Sequence, residues 1–179
     1  VTAGQAASFG VLATGISDPS YQWQHAGTNL PGANSSVLSI PTATGDMAGS
    51  YACVILNAAG SVTSASATLT VNPITITVTA DGKSKVYGAS DPALTYTYNP
   101  ALLTGDSFSG SLTRAAGENV ASYAIGQGTL ALNSSYTLSF VTGSNLVITP
   151  LGITVTADAK TKVYGTADPT LTYTYTPAL

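Results

Sequence analysis

The sequence predicts an all-β chain made of two kinds of small domain in series, and three observations carry that expectation. Apolar residues alternate with Thr, Ser and Tyr at period two in Ile74-Thr-Ile-Thr-Val-Thr-Ala80, Leu94-Thr-Tyr-Thr-Tyr98 and Tyr136-Thr-Leu-Ser-Phe140. That is the pattern of strands with one buried face, and helical spacing is nowhere sustained. A block of 27 residues, Ile76–Leu102, returns 77 positions later as Ile153–Leu179 with six substitutions, all between small or turn-forming residues. Finally, residues 1–72 hold Asp18 and Asp46 but no Lys or Arg, whereas all five basic residues fall in the repeats. Asn72-Pro73 and Thr149-Pro150 precede the two copies, where proline breaks ladder pairing and stiffens an extended linker. The expected division is 1–72, 73–149 and 150–179, the last being a second copy cut partway.

In the first domain, Ser8-Phe-Gly-Val-Leu-Ala-Thr14 before Gly15 reads as one strand, and Tyr21-Gln-Trp23-Gln24 as a second. Val37-Leu-Ser-Ile40 reads as a third, and Gly49-Ser-Tyr51-Ala-Cys53 as the start of a fourth. Asn57-Ala-Ala-Gly60 is a hairpin turn, and Ser61–Val71 alternates as a closing strand. A Trp on the second strand and a Tyr two residues before a Cys resemble an immunoglobulin-like sandwich with its tyrosine corner. Two departures stand out. The position expected for a partner Cys holds Val11, and the Asp usual before the corner is replaced by Met47. With one Cys in the chain there is no disulfide framework; Val11, Trp23 and Cys53 are expected to pack as plain apolar core.

In the repeat, Lys85-Val-Tyr-Gly88 leads to Asp91-Pro92 and an aromatic strand. Gly88 is expected to take a positive-φ turn and Asp91-Pro92 to begin another. With Gly110-Ser-Leu-Thr-Arg114, Gly117-Glu-Asn119, Ser122-Tyr-Ala-Ile125, Gly128-Thr-Leu130 and the closing Leu146-Val-Ile148, the segment resembles the bacterial MBG domain of the YGX type. A sandwich is the expected fold, with a β-grasp-like sheet as the alternative. The resemblance implies tandem domains strung as beads in large bacterial adhesins and other secreted surface proteins. It brings no catalytic residues with it.

Composition excludes several functions. Charged residues make up 7% of the chain and the net charge is −3, which removes the basic footprint of nucleic-acid or anionic-membrane binding. No apolar run approaches the ~20 residues of a membrane-spanning helix. One His and one Cys rule out multi-His and Cys-rich metal sites. The run Gly126-Gln-Gly128-Thr-Leu-Ala131 matches a dinucleotide fingerprint on paper, but it lies between β segments and lacks the helix that holds pyrophosphate. His25 reads as an exposed strand-end residue without a nucleophile or an orienting acid. Cys53 reads as a buried, unreactive thiol. Asp81, Asp91, Asp106 and Glu118 lack calcium-loop spacing and read as turn and solubility residues. Asn34-Ser-Ser36 and Asn133-Ser-Ser135 read as turns.

Two sharper possibilities remain on the page. Tyr96 and Tyr98 share one face of a strand and could stack on a sugar, although core packing with the hydroxyl at the rim explains them too. Lys83 or Lys85 with Glu118 could supply a lysine cross-link, against the plainer reading of solvated lysines guarding an edge strand. The expectation is therefore a non-catalytic, cofactor-free structural or adhesive segment of an extracellular bacterial surface protein. The competing expectation is a spacer or carbohydrate-binding segment of a secreted multidomain enzyme. The expected partner is a glycan or protein surface.

Overall fold

The computed structural model describes residues 1–14 and 18–177, and Gly15 and Leu179 lie outside them. Among the described residues the only helical element is a single 3-10 turn, Gly45–Met47. In the first domain β1 (Ala7–Gly10) pairs antiparallel with β4 (Val37–Ile40). Facing them, β2 (Ser20–His25), β3 (Thr28–Asn29), β5 (Gly49–Asn57) and β6 (Gly60–Thr63) lie in the order β3-β2-β5-β6, and β7 (Ala67–Leu69) also pairs with β5.

The expected core assembles. Trp23, Cys53 and Ile55 are buried with Val11 and Phe9 packed on them, and Phe9 also reaches the second cluster of Ile40, Ala43, Tyr51 and Leu69. The Trp23 ring donates to the Ser35 carbonyl at 2.9 Å. The Tyr51 hydroxyl donates to the Met47 carbonyl at 2.8 Å. This corner uses a backbone acceptor, which explains why Met at that position costs nothing to it.

Two strands differ from expectation. The first runs only Ala7–Gly10, after which the Val11 N–H alone donates to Ser36. The closing strand breaks between β6 and β7, because the Ser64 hydroxyl accepts from the Cys53 N–H and donates to the Ala65 carbonyl. A side chain has replaced a ladder partner, as at a bulge.

The second domain is a two-sheet sandwich. One sheet has the order β10-β8-β13, from β8 (Ile74–Ala80), β10 (Tyr96–Asn99) and β13 (Tyr136–Val141). The other has the order β11-β12-β14-β9, from β9 (Lys83–Val86), β11 (Thr113–Arg114), β12 (Ser122–Gly126) and β14 (Asn145–Thr149). Ile76, Val78 and Ala80 share a core with Leu112, Ile125, Leu130 and Tyr136. Each large apolar side chain there contributes about 1.5–3 kcal/mol by leaving water.

Two pairings in this domain are parallel. β8 runs beside β13 over six positions, Ile74↔Tyr136 to Thr79↔Val141. β9 runs beside β14 over four, Lys83↔Leu146 to Val86↔Thr149. The chain therefore makes two long runs, 74–86 and 136–149, which lie side by side and cross together from one sheet to the other. The crossing is fastened where the Ser144 hydroxyl donates to the Ala80 carbonyl at 2.5 Å. Gly88 takes the expected positive φ, 82°.

The second copy reproduces the first where it is present. β15 (Thr154–Ala157) pairs with β16 (Tyr173–Thr176), Thr154↔Thr176 through Ala157↔Tyr173. Shifted by 77, this is the register of β8 with β10.

The immunoglobulin domain and the complete repeat are docked at a seam. The Gly45 N–H donates to the Ser135 hydroxyl at 3.0 Å, and Ser135 is 2% exposed. A Cβ on Gly45 would sit 2.3 Å from the Ser134 carbonyl oxygen, so only glycine lets the two backbones approach this closely.

Candidate functional site

Four charged side chains from separate parts of the repeat meet at one end of its sandwich. Lys85 stands on β9, an edge strand, but its side chain turns inward and is 5% exposed. Its ammonium lies 2.6 Å from Asp91 and 2.5 Å from Glu118. Arg114, at the end of β11, donates to Asp91 at 2.6 and 3.2 Å and also pairs with Glu118. Opposite charges thus alternate around a closed ring. Arg114 further donates to the Ala115 and Gly117 carbonyls and lies 5.3 Å from the Tyr123 ring centre, a cation–π distance.

The electrostatics follow from the contacts. Hydrogen bonds from Arg114 and then Lys85 hold Asp91 down at about 2. Those from Lys85 and then Arg114 lower Glu118. Lys85 is raised, chiefly by its bonds to Asp91 and Glu118. Near neutrality every member is charged. The four side chains hold one another as an ion-paired clamp that ties β9 to β11.

This corrects two expectations. Lys85 is no solvated guard, because its amine is buried against paired carboxylates that neutralise it. Asp91 is an ion-pair member and begins no turn, since the turn closes earlier where the Ala89 N–H donates to the Val86 carbonyl and 91–95 run on without one. The second copy repeats the first half of the ring as a Lys162–Asp168 pair.

Tyr96 and Tyr98 do share a face. Their ring centres are 6.5 Å apart, and both meet Phe108 edge-on at 5.2 and 5.0 Å. Tyr96 lines the core and Tyr98 is 45% exposed.

The remaining candidates stand apart. His25 is half-buried, stacked on Tyr51 at 4.6 Å, with its Nε2 3.2 Å from the Ala48 carbonyl; a free strand-end imidazole was expected. Cys53 is buried, and burial raises its thiol pKa. Gly126 ends β12, with no helix after it. Among the described residues no group of three metal-binding side chains forms, and no helix is long and apolar enough to cross a membrane.

Sequence reasoning also missed a network at the seam between the first two domains. Asp106 accepts from the Tyr136 hydroxyl at 2.6 Å and from Asn133 at 2.8 Å. Asn133 in turn accepts from the Ser135 N–H, and Ser135 meets Gly45. Burial and then Asp106 raise the Tyr136 pKa. The only sequence signal was a Tyr directly after a turn-like Asn-Ser-Ser.

Comparison with known proteins gives two family matches. The MBG domain (YGX type) matches residues 76–146 and 153–179, and the immunoglobulin I-set domain matches residues 1–71. Both are non-catalytic domains common in extracellular proteins. No curated protein matches the chain. Similar solved structures include an I-band fragment of titin, at 16% identity and TM-score 0.38 over 85% of this chain and 62% of that one. Immunoglobulin domains 1–4 of Sidekick-1 follow at 14% and 0.37, covering 98% and 54%. The N-terminal four domains of Dscam1 isoform 6.9 match at 18% and 0.40, covering 83% and 42%. This chain spans between 42 and 62% of the length of these structures.

Proposed function

The chain belongs to the MBG domain (YGX type) family, with an immunoglobulin I-set domain ahead of the repeats, and from that premise we propose a non-catalytic stalk. It is a structural and adhesive segment of a large bacterial cell-surface or secreted protein. The observation that carries this reading is the second copy's return to the first copy's pairing register after 77 residues. A module that rebuilds itself at a fixed interval serves to add length. The docked seam at Gly45 and Ser135 favours the same role, since a stalk projects only if its joints resist bending.

Antibodies against the purified segment test the reading. They should label intact producing cells or their secreted fraction, and external protease should remove the signal. Signal found only after lysis would overturn it.

A second reading adds direct contact with a glycan surface, and the exposed Tyr98 ring beside Phe108 favours it. Binding on a glycan array should then disappear in Tyr98→Ala.

A further inference from the structure

We infer that the complete repeat is a load-bearing module, in which tension between its two ends falls on its parallel strand pairing in shear. The purpose rests on the stalk reading; the physics rests on topology alone.

The chain enters the domain at Ile74 and leaves it at Thr149. Ile74 begins the first long run, and Thr149 ends the second. Because the runs are parallel, the entry point and the exit point lie at opposite ends of one double ladder. Tension pulls the first run backward from its start and the second forward from its finish. The strands are asked to slide along each other, and every ladder bond resists together.

The bonds are those of six paired positions between β8 and β13 and four between β9 and β14. Two more extend the ladder at its ends, from Ile74 N–H to the Ser135 carbonyl and from Tyr87 N–H to the Thr149 carbonyl, at 2.9 and 2.8 Å. Had the terminal runs been antiparallel neighbours, entry and exit would share one end, and tension would open the bonds one at a time.

Two fastenings brace the ladder against sliding. The Ser144 hydroxyl holds the Ala80 carbonyl at the crossing between sheets. The ion ring ties β9 through Lys85 to Glu118, in the connection between β11 and β12, and through the two carboxylates to Arg114 on β11, the far strand of the same sheet. The pocket-like surfaces, the buried Cys53 and the tyrosine face offer no comparable convergence of backbone and side chains on one task.

Single-molecule pulling on the full chain tests the inference by direction. One variant carries handles on cysteines at Pro73 and Pro150, the two ends of the domain. Another carries them at Tyr87 and Pro150, neighbours at one end of the ladder. All three positions are exposed, and Cys53 is buried and leaves the handles selective. Unloaded melting temperatures should agree between the two variants, which shows that both fold alike.

The end-to-end pair should break at a force several-fold higher than the neighbouring pair, since forced unfolding follows the barrier along the pull and not equilibrium stability. Ser144→Ala should lower the first force more than the second. Equal forces in the two directions would overturn the inference and leave the stalk reading untouched. A large directional difference in a protein that never reaches the cell exterior would overturn the stalk reading and leave the clamp standing.

Discussion

Both domains place their first and last segments side by side in parallel, but they do so on different scales. In the immunoglobulin domain the contact is a patch of three backbone bonds. Val1 N–H donates to Thr70, Ala3 N–H to Asn72, and Asn72 N–H back to Val1. In the MBG repeat the same relation extends over ten paired positions and two sheets. The first domain relies instead on interior contacts, on Trp23, Phe9 and the Tyr51 corner. The second spends its few charges on closing one end. Under tension along the chain the immunoglobulin domain should therefore yield first, although its core holds as many aromatic side chains as that of the repeat.

The sharpest way to break this comparison is to weaken each core separately. Trp23→Ala should cost the first domain about 3–5 kcal/mol and Ile76→Ala the second about 2–5. In a calorimetric melt each change should lower one transition and leave the other. A single transition that moves with both substitutions would mean that the domains share one cooperative unit.

Acid should separate the domains next. Asp91 is held at about 2 and Glu118 is lowered in the folded repeat, whereas both titrate near 4 when unfolded. The ring's contribution is then full above ~pH 5 and is lost as the pH falls toward 2. The repeat's melting temperature should decline across that window, and Lys85→Met should remove part of the decline while Arg114, still paired with both carboxylates, keeps the rest. The immunoglobulin domain contains no such ring, and its transition should depend less on pH there.

The smallest stability effect belongs to the seam. Gly45→Ala forces a Cβ against the Ser134 carbonyl, yet each domain's own unfolding free energy should change by no more than the ~0.5 kcal/mol typical of surface changes. What should change is motion. The two domains should tumble with separate correlation times in NMR relaxation, where the parent chain should show one.

Much of this architecture was legible because strand burial writes itself into a two-residue period. Ile74–Ala80, Tyr136–Phe140 and the Trp23–Cys53 core could be read directly. Gly88 could be read from the turn chemistry around it. The partner of each strand could not, since Ile-Thr-Val-Thr alternation fits a parallel neighbour as well as an antiparallel one. The ion ring was hidden for a related reason. Lys85, Asp91, Arg114 and Glu118 are scattered over more than thirty positions, and a lysine on an edge strand normally faces water. Lys85 faces inward because its parity on β9 matches that of Ile148 on β14. The seam escaped because its partners, Gly45 and Ser135, lie 90 residues apart.

The fixed register of the repeats also has a consequence during synthesis. β13 must find β8, whose first residue lies about sixty residues upstream, while β15 carries the same Thr-Val-Thr-Ala sequence less than twenty residues downstream. Loop-closure entropy alone favours the nearer, wrong strand by roughly 1 kcal/mol. Vectorial emergence from the ribosome reverses that bias, because β8 is already waiting when β13 appears and β15 has not yet been made. A long array of such copies is therefore safest when translated in order, and it is most prone to exchange strands between neighbours when refolded all at once from denaturant.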